Sequence, residues 1–314
     1  LFTQFHTAPM CAPTRAMLLS GNNNHVAGMA GQSRNGIAGV PYPGYEASLS
    51  DRIAPLPRIL RDAGYHTYTV GKWHLGLTAE TSPTAAGFTR SFNLLQGGGN
   101  HWDSIGFENG STTYWADGDF TDYPAGEYST TVYTDRLIEF LDAGRRDTQP
   151  FFAFAAYTSP HWPLQVPDDY LDRYAGRYAD GYDALRERNF EALKAANIVP
   201  ADSTLPPRNE AMRTWESLDD ADKRREARKM ELYAAMVENL DAHVGRLINY
   251  LQTTGQYDNT LIVFMSDNGA AGEDFYNRGP FVDYIRQHYD NAYEKMGTRA
   301  SFVSYDYEWA EAGS

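Results

Sequence analysis

Cys11 is the single cysteine of the chain and stands in Pro9-Met10-Cys11-Ala12-Pro13-Thr14-Arg15, followed by Ala16-Met17-Leu18-Leu19-Ser20-Gly21. Pro13 suits the first turn of a helix running to about Ser20, and Gly21 suits its stop. Cys11 then lies at the positive end of that helix. Unpaired N–H groups there, together with Arg15, favour negative charge: a thiolate, a bound oxyanion or both. Against this stands the commoner fate of an isolated cysteine, a small buried hydrophobe. Further along, Lys72 and His74 follow one strand pattern, His161 a second and Asp267-Asn268 a third. A lone Lys or His in a loop is ordinarily solvated, but three strand ends delivering cations and ligand-type side chains weaken that reading. Asp267 and Asn268 offer a carboxylate and an amide oxygen, which suit Ca²⁺ or Mg²⁺ better than zinc. Asp-Asn-Gly is also a common turn tripeptide, and two adjacent ligands cannot fill the roughly six or more positions such ions take.

The elements that must hold these side chains are legible as patterns. Pro55 to Ala63 carries Leu56, Ile59, Leu60 and Ala63 at helical spacing, Gly64 stops it, and His66 to Val70 reads as a short strand. Thr134 to Leu141 repeats the helical pattern, and Phe151 to Tyr157 is a continuous apolar run of the kind found in a strand covered on both faces. Met230, Tyr233, Val237, Leu240, Val244, Leu247 and Leu251 step by three and four toward Gly255, with Ser217 as the expected N-cap and Asp219-Asp220 in the first turn. Thr260 to Ser266 is another buried-strand pattern. Strands alternating with helices predict an α/β fold, a mostly parallel central sheet with helices on both faces. Such sheets bind ligands outside the carboxyl ends of their strands, so the five polar positions are expected to converge. Residues 79–130 read as long loops and 168–229 as charged and partly helical, and nothing after Asn268 signals a second domain. Length alone suggests one large or two modest domains.

Composition limits the partners. The formal net charge of -14 argues against a nucleic-acid binder, whose affinity comes largely from neutralising phosphates. Hydrophobic residues at 42% and charged residues at 22% are ordinary for a chain that buries a core. One cysteine excludes an intrachain disulfide and a multi-cysteine zinc site. No run of about 18 apolar residues is present, so no conventional membrane span is expected. Leu1 is not an initiator Met, the first residues lack a signal-peptide layout, and the compartment stays open.

Cys11-Ala12-Pro13-Thr14-Arg15 with Leu18, Leu19 and Gly21 resembles the first signature of the type I sulfatases of the alkaline phosphatase superfamily, with its Cys-x-Pro-x-Arg core. Gly64-Tyr65-His66-Thr67-Tyr68-Thr69-Val70-Gly71-Lys72-Trp73-His74-Leu75-Gly76 resembles the second. Ser159-Pro160-His161-Trp162-Pro163-Leu164 and Ser266-Asp267-Asn268-Gly269 are similar to two further blocks, and the likeness to bacterial arylsulfatases spans essentially the whole chain. The resemblance implies that a formylglycine-generating enzyme oxidises Cys11 to formylglycine, whose hydrated aldehyde attacks the sulfur of an aryl or alkyl sulfate ester. The alcohol leaves, a sulfated enzyme remains, and loss of the second hydroxyl proton expels sulfate. It further implies that Arg15 orients residue 11, Lys72 holds a sulfate oxygen, His74 transfers a proton and His161 contacts sulfate or the leaving oxygen. Asp267, Asn268 and residue 11 would ligate Ca²⁺, with Mg²⁺ the alternative. His25, just past the first motif, is a candidate pocket residue.

The family also carries an adjacent acidic pair at the end of a first strand ahead of the cysteine motif, a second sulfate-binding lysine beyond the Asp-Asn block and a C-terminal subdomain. The sequence shows no counterpart of these, and the resemblance implies a partial sulfatase catalytic domain over residues 1–314, without its first strand and its C-terminal subdomain. Asp168-Asp169 and Asp219-Asp220 read as a solvated loop and a helix first turn, and Lys295 lacks a glycine-rich setting. Two alternatives stay open: a phosphonate monoester or phosphodiester hydrolase of the same superfamily, and an inactive module that only binds a partner.

Overall fold

The computed structural model describes residues 1–32, 42–107 and 110–313. They form two compact units, one of Thr7–Ser159 with Leu240–Asn268 and one of Leu1–His6, Pro160–Asn239 and Gly269–Ser314. The first, the sheet unit, contains in chain order α1 (Cys11–Ser20), α2 (Leu56–Asp62), β1 (His66–Lys72), α3 (Pro83–Ala86), β2 (Arg90–Leu94), β3 (Tyr114–Ala116), β4 (Asp119–Thr121), α4 (Ser129–Gly144) and β5 (Phe151–Ala156). The strands form one sheet in the order β4-β3-β2-β1-β5. β1 pairs in parallel with β2 and β5, while β3 and β4 add antiparallel strands at one edge.

Alternation along the strands explains the layers, because successive side chains point to opposite faces. Tyr68 and Val70 of β1 join Phe92 and Leu94 of β2 in a cluster with Val132, Tyr133, Leu137, Phe140 and Leu141 of α4. On the other face Phe152 and Phe154 of β5 pack against a cluster holding Ala12, Ala16 and Leu19 of α1, Ala86 of α3, and Trp73, Phe88 and Trp115. Helices therefore cover both faces, as the α/β pattern predicts. The residue before the last of β1 is constrained: Gly71 has φ +91°, and a Cβ there would collide with the carbonyl oxygen of Ala156 in β5. Only glycine lets the two strands approach so closely at that point.

Three expectations fail here for physical reasons. Residues 79–130 are not simply loops but contain α3, β2, β3 and β4. Short strands carry too few residues to show a period, although one local signal was present. Asp117 (φ 48°) and Gly118 (φ 111°) form the two-residue turn between paired Ala116 and Asp119, the left-handed pair that an Asp-Gly hairpin uses. The run Thr260–Ser266, expected as a buried strand, pairs with no strand among the described residues, and Leu261 and Phe264 are 90% and 77% exposed. β5 likewise pairs only with β1 among the described residues and is half-buried along most of its length, not covered on both faces throughout. An apolar run states that a segment can be buried; the neighbour that buries it is not written in the run.

The second unit contains α5 (Gly181–Ala195), the part of α6 (Asp220–Thr253) up to Asn239, α7 (Val282–His288) and α8 (Tyr307–Ala312). Residues 269–313 thus fold with 160–239, where the sequence showed no second compact body. Its core gathers Tyr182, Trp215, Leu232, Met236 and Trp309. α6 is capped by Asp219, whose Oδ1 accepts from Asp222 N at 2.8 Å, and not by Ser217, whose hydroxyl donates to Thr214 O within a 3₁₀ turn. The cap goes to the residue whose carboxylate reaches the free N–H groups of the first turn. No helix among the described residues is long and apolar enough to cross a membrane. Asp219→Ala should destabilise the chain by about 1 kcal/mol in urea unfolding, whereas Ser217→Ala should shift the midpoint little; the reverse order would return the cap to Ser217.

Candidate active site

The first turn of α1 and the end of β1 meet in the sheet unit. Cys11 is the first residue of α1, with extended Met10 as N-cap and left-handed Gly21 (φ 65°) closing the other end. Three side chains surround its sulfur: Lys72 Nζ donates to Sγ at 3.0 Å, Gln32 Nε2 donates at 3.2 Å, and His74 Nδ1 stands at 3.3 Å. Four residues on, Arg15 is 5% exposed. Its Nε donates to Asp267 Oδ2 at 3.0 Å, and an NH1 proton goes to the backbone carbonyl of Lys72 at 2.9 Å. The guanidinium also lies 5.7 Å from the ring centre of Phe154.

Lys72 is 3% exposed. Burial pushes its ammonium pKa down, the thiol beside it pulls the other way, and Arg15 adds to the lowering. His74 adopts φ +58°, a left-handed conformation uncommon for a residue with a Cβ. Its ring lies against Gly97, where an added Cβ would come within 2.6 Å of Cε1. Gly97 opens the run Gly97-Gly98-Gly99 just after β2, so a glycine signal was visible in the sequence, but not its purpose. Gln32 had no signal at all, being a single amide in a loop outside every motif.

The structure thus brings together Cys11, Arg15, Lys72, His74 and Asp267, with Asn268 next in the chain. His161 belongs to the other unit, where its Nδ1 lies 2.7 Å from Trp162 O and the Trp162 indole donates to Glu273. His25 is exposed, its ring edge-on to Tyr45. Lys295 pairs with Asp290 at 2.5 Å. Asp169 pairs with Arg173, and Asp219-Asp220 stand at the start of α6.

The metal expectation meets a limit in the donors. Asp267 and Asn268 supply hard oxygen of the kind Ca²⁺ or Mg²⁺ takes, but Asp267 Oδ2 is already engaged by Arg15. Among the described residues no three His, Cys, Asp or Glu side chains stand together as a metal would need. Among the described residues the donors do not complete a cage.

A sequence model of the Sulfatase family matches residues 1–300. The chain belongs to the sulfatase family. It is 42% identical over 336 residues to an uncharacterized sulfatase of Schizosaccharomyces pombe, covering 99% of this chain and 59% of the relative. An arylsulfatase of Klebsiella aerogenes is 37% identical over 318 residues, with 99% and 67% covered. The solved structure of Ps i-CgsB in complex with a neocarrahexaose is similar at a TM-score of 0.56 and 25% identity, covering 83% of this chain and 48% of that one. This sulfatase-family chain spans 59% of the length of the first relative and about half of the solved structure. The mixed α/β architecture agrees with that neighbour.

The buried ammonium yields a stability prediction. The Lys72 ammonium is buried with a hydrogen bond to sulfur and, among the described residues, no carboxylate in ion-pair contact, and desolvating a charge costs more than such a bond returns, so Lys72→Met should leave the unfolding midpoint at or above that of the parent chain. A loss of more than about 3 kcal/mol in urea unfolding would show instead that the Lys72–Cys11 contact holds the unit together.

Proposed function

We propose that this chain hydrolyses sulfate esters of aryl or alkyl alcohols, with residue 11 as the nucleophile in the formylglycine form that a formylglycine-generating enzyme makes from Cys11. The observation that carries the reading is the convergence of Lys72 Nζ and His74 Nδ1 on Cys11 Sγ, at 3.0 and 3.3 Å, beside the buried Arg15. Sγ marks the position that an oxygen on the same carbon takes in the hydrated aldehyde. Formylglycine supplies there an oxygen nucleophile and a second hydroxyl whose deprotonation releases sulfate.

Each neighbouring group has work suited to its chemistry. The Lys72 ammonium, fixed and desolvated, holds a sulfate oxygen and gains strength from the low dielectric around it. Arg15 is held by Asp267 and the Lys72 carbonyl, so it sets the geometry around residue 11 and keeps its own charge matched. His74, within reach of the reacting atom, takes the proton whose loss ends the cycle. His161 is assigned to sulfate or the leaving oxygen. Asp267 and Asn268, with residue 11, are this chain's proposed share of a divalent-cation site, Ca²⁺ by the hardness of the donors.

Coexpression with a formylglycine-generating enzyme tests the reading directly. Mass spectrometry of the tryptic peptide ending at Arg15 should show the aldehyde or its hydrate. 4-Nitrophenyl sulfate should turn over faster than a phosphonate monoester or a phosphodiester. Cys11→Ala should cost at least about a thousandfold in kcat, and His74→Ala about a hundredfold to ten-thousandfold. An unmodified thiol despite an active modifying enzyme would point to a binding module, and faster phosphonate or phosphodiester turnover would point to that class of hydrolase.

A further inference from the structure

The third group on the Cys11 sulfur belongs to none of the motifs. Gln32 Nε2 lies 3.2 Å from Sγ, a distance between those of Lys72 and His74. The segment leading to it is tied down. Met29 is fully buried in the cluster that contains Ala12 and Ala16 of α1. Its N–H donates to Asn24 O, its carbonyl accepts from the Asn24 side chain, and Ala30 N donates to Gly44 O. Gln32 therefore follows, three residues later, from a stretch packed on the helix that carries Cys11. Its amide differs in kind from the other two neighbours: it is neutral and remains a donor at every pH at which the protein is folded.

We infer that Gln32 is a catalytic residue of the proposed reaction, a fixed neutral donor to the reacting atom of residue 11. The inference rests on the reading that residue 11 carries the nucleophile. In the converted chain the Gln32 N–H holds the oxygen that replaces Sγ, so that its remaining lone pair, and not a rotated one, is presented to sulfur. Donors fixed in advance require no reorganisation as charge moves.

Two near-isosteric variants test this without opening space beside residue 11. Gln32→Met removes the donor and Gln32→Glu replaces it with a carboxylate. In the converted chain, with kcat divided by the formylglycine content measured by mass spectrometry, both should lose about tenfold or more in kcat while KM for 4-nitrophenyl sulfate stays within about twofold. In the unconverted chain, alkylation of Cys11 by iodoacetamide at a single fixed pH should change about threefold or more, since the donor that is removed touches the attacking sulfur. A normalised kcat within twofold of the parent overturns the catalytic role, and an unchanged alkylation rate overturns the donation itself. A parent chain that is converted yet hydrolyses no sulfate ester overturns the reaction and the catalytic role with it, and the alkylation rates then decide the contact alone.

Discussion

A guanidinium that is 5% exposed sets conditions for everything around it, because a permanent charge removed from water must be paired and hydrogen-bonded or the fold will not hold it. Arg15 meets that condition with one carboxylate, Asp267, and one carbonyl, that of Lys72. The two partners come from segments far apart in the chain. Satisfying Arg15 therefore joins the first helix to the end of the central strand and to the Asp267-Asn268 pair. The ends of these elements are where the chemistry gathers, so the geometry of the site follows from the need to compensate one buried charge.

The second constraint is steric. β1 delivers Lys72 only if β5 can come close at Gly71, and His74 keeps its left-handed backbone and its place near sulfur only if Gly97 has no side chain. Strain of this sort costs on the order of 1–3 kcal/mol per residue and persists where the surroundings over-determine it. Here the two-sided packing of the sheet does so. Aromatic and aliphatic side chains fill both faces, which leaves the strand ends little freedom to relax.

What the sequence revealed and what it hid divides along physical lines. The first helix, the central strand and the long capped helix were legible because each has a period or a terminator long enough to read: Pro13 and Gly21, Gly64 before His66, and the three-and-four stepping from Met230 to Leu251. The motif residues Cys11, Arg15, Lys72, His74 and Asp267 were legible as types with a purpose, and the contacts among them are those of the structure. β2, β3 and β4 escaped because three to five residues show no period, even though Asp117-Gly118 announced a turn. The failure at Thr260–Ser266 had another cause, since pairing depends on a neighbour and not on the run itself. The cap moved from Ser217 to Asp219 because capping depends on reach to particular N–H groups. Gln32 was invisible, since one amide in a loop has no spacing to interpret.

Charge balance explains why a neutral amide should stand at that third position. Arg15 and Lys72 are two cations in one buried neighbourhood, and Asp267 is the carboxylate that Arg15 engages. A third cation on residue 11 would further depress the Lys72 ammonium, whose pKa burial and Arg15 already lower. A second carboxylate would oppose the anionic ester of the proposed reaction. An amide adds a directed hydrogen bond without changing the sum. In a chain whose formal net charge is -14, the attraction for an anion that the proposed reaction requires has to be local, and a neutral amide at the third position leaves the charge of the two buried cations undiminished.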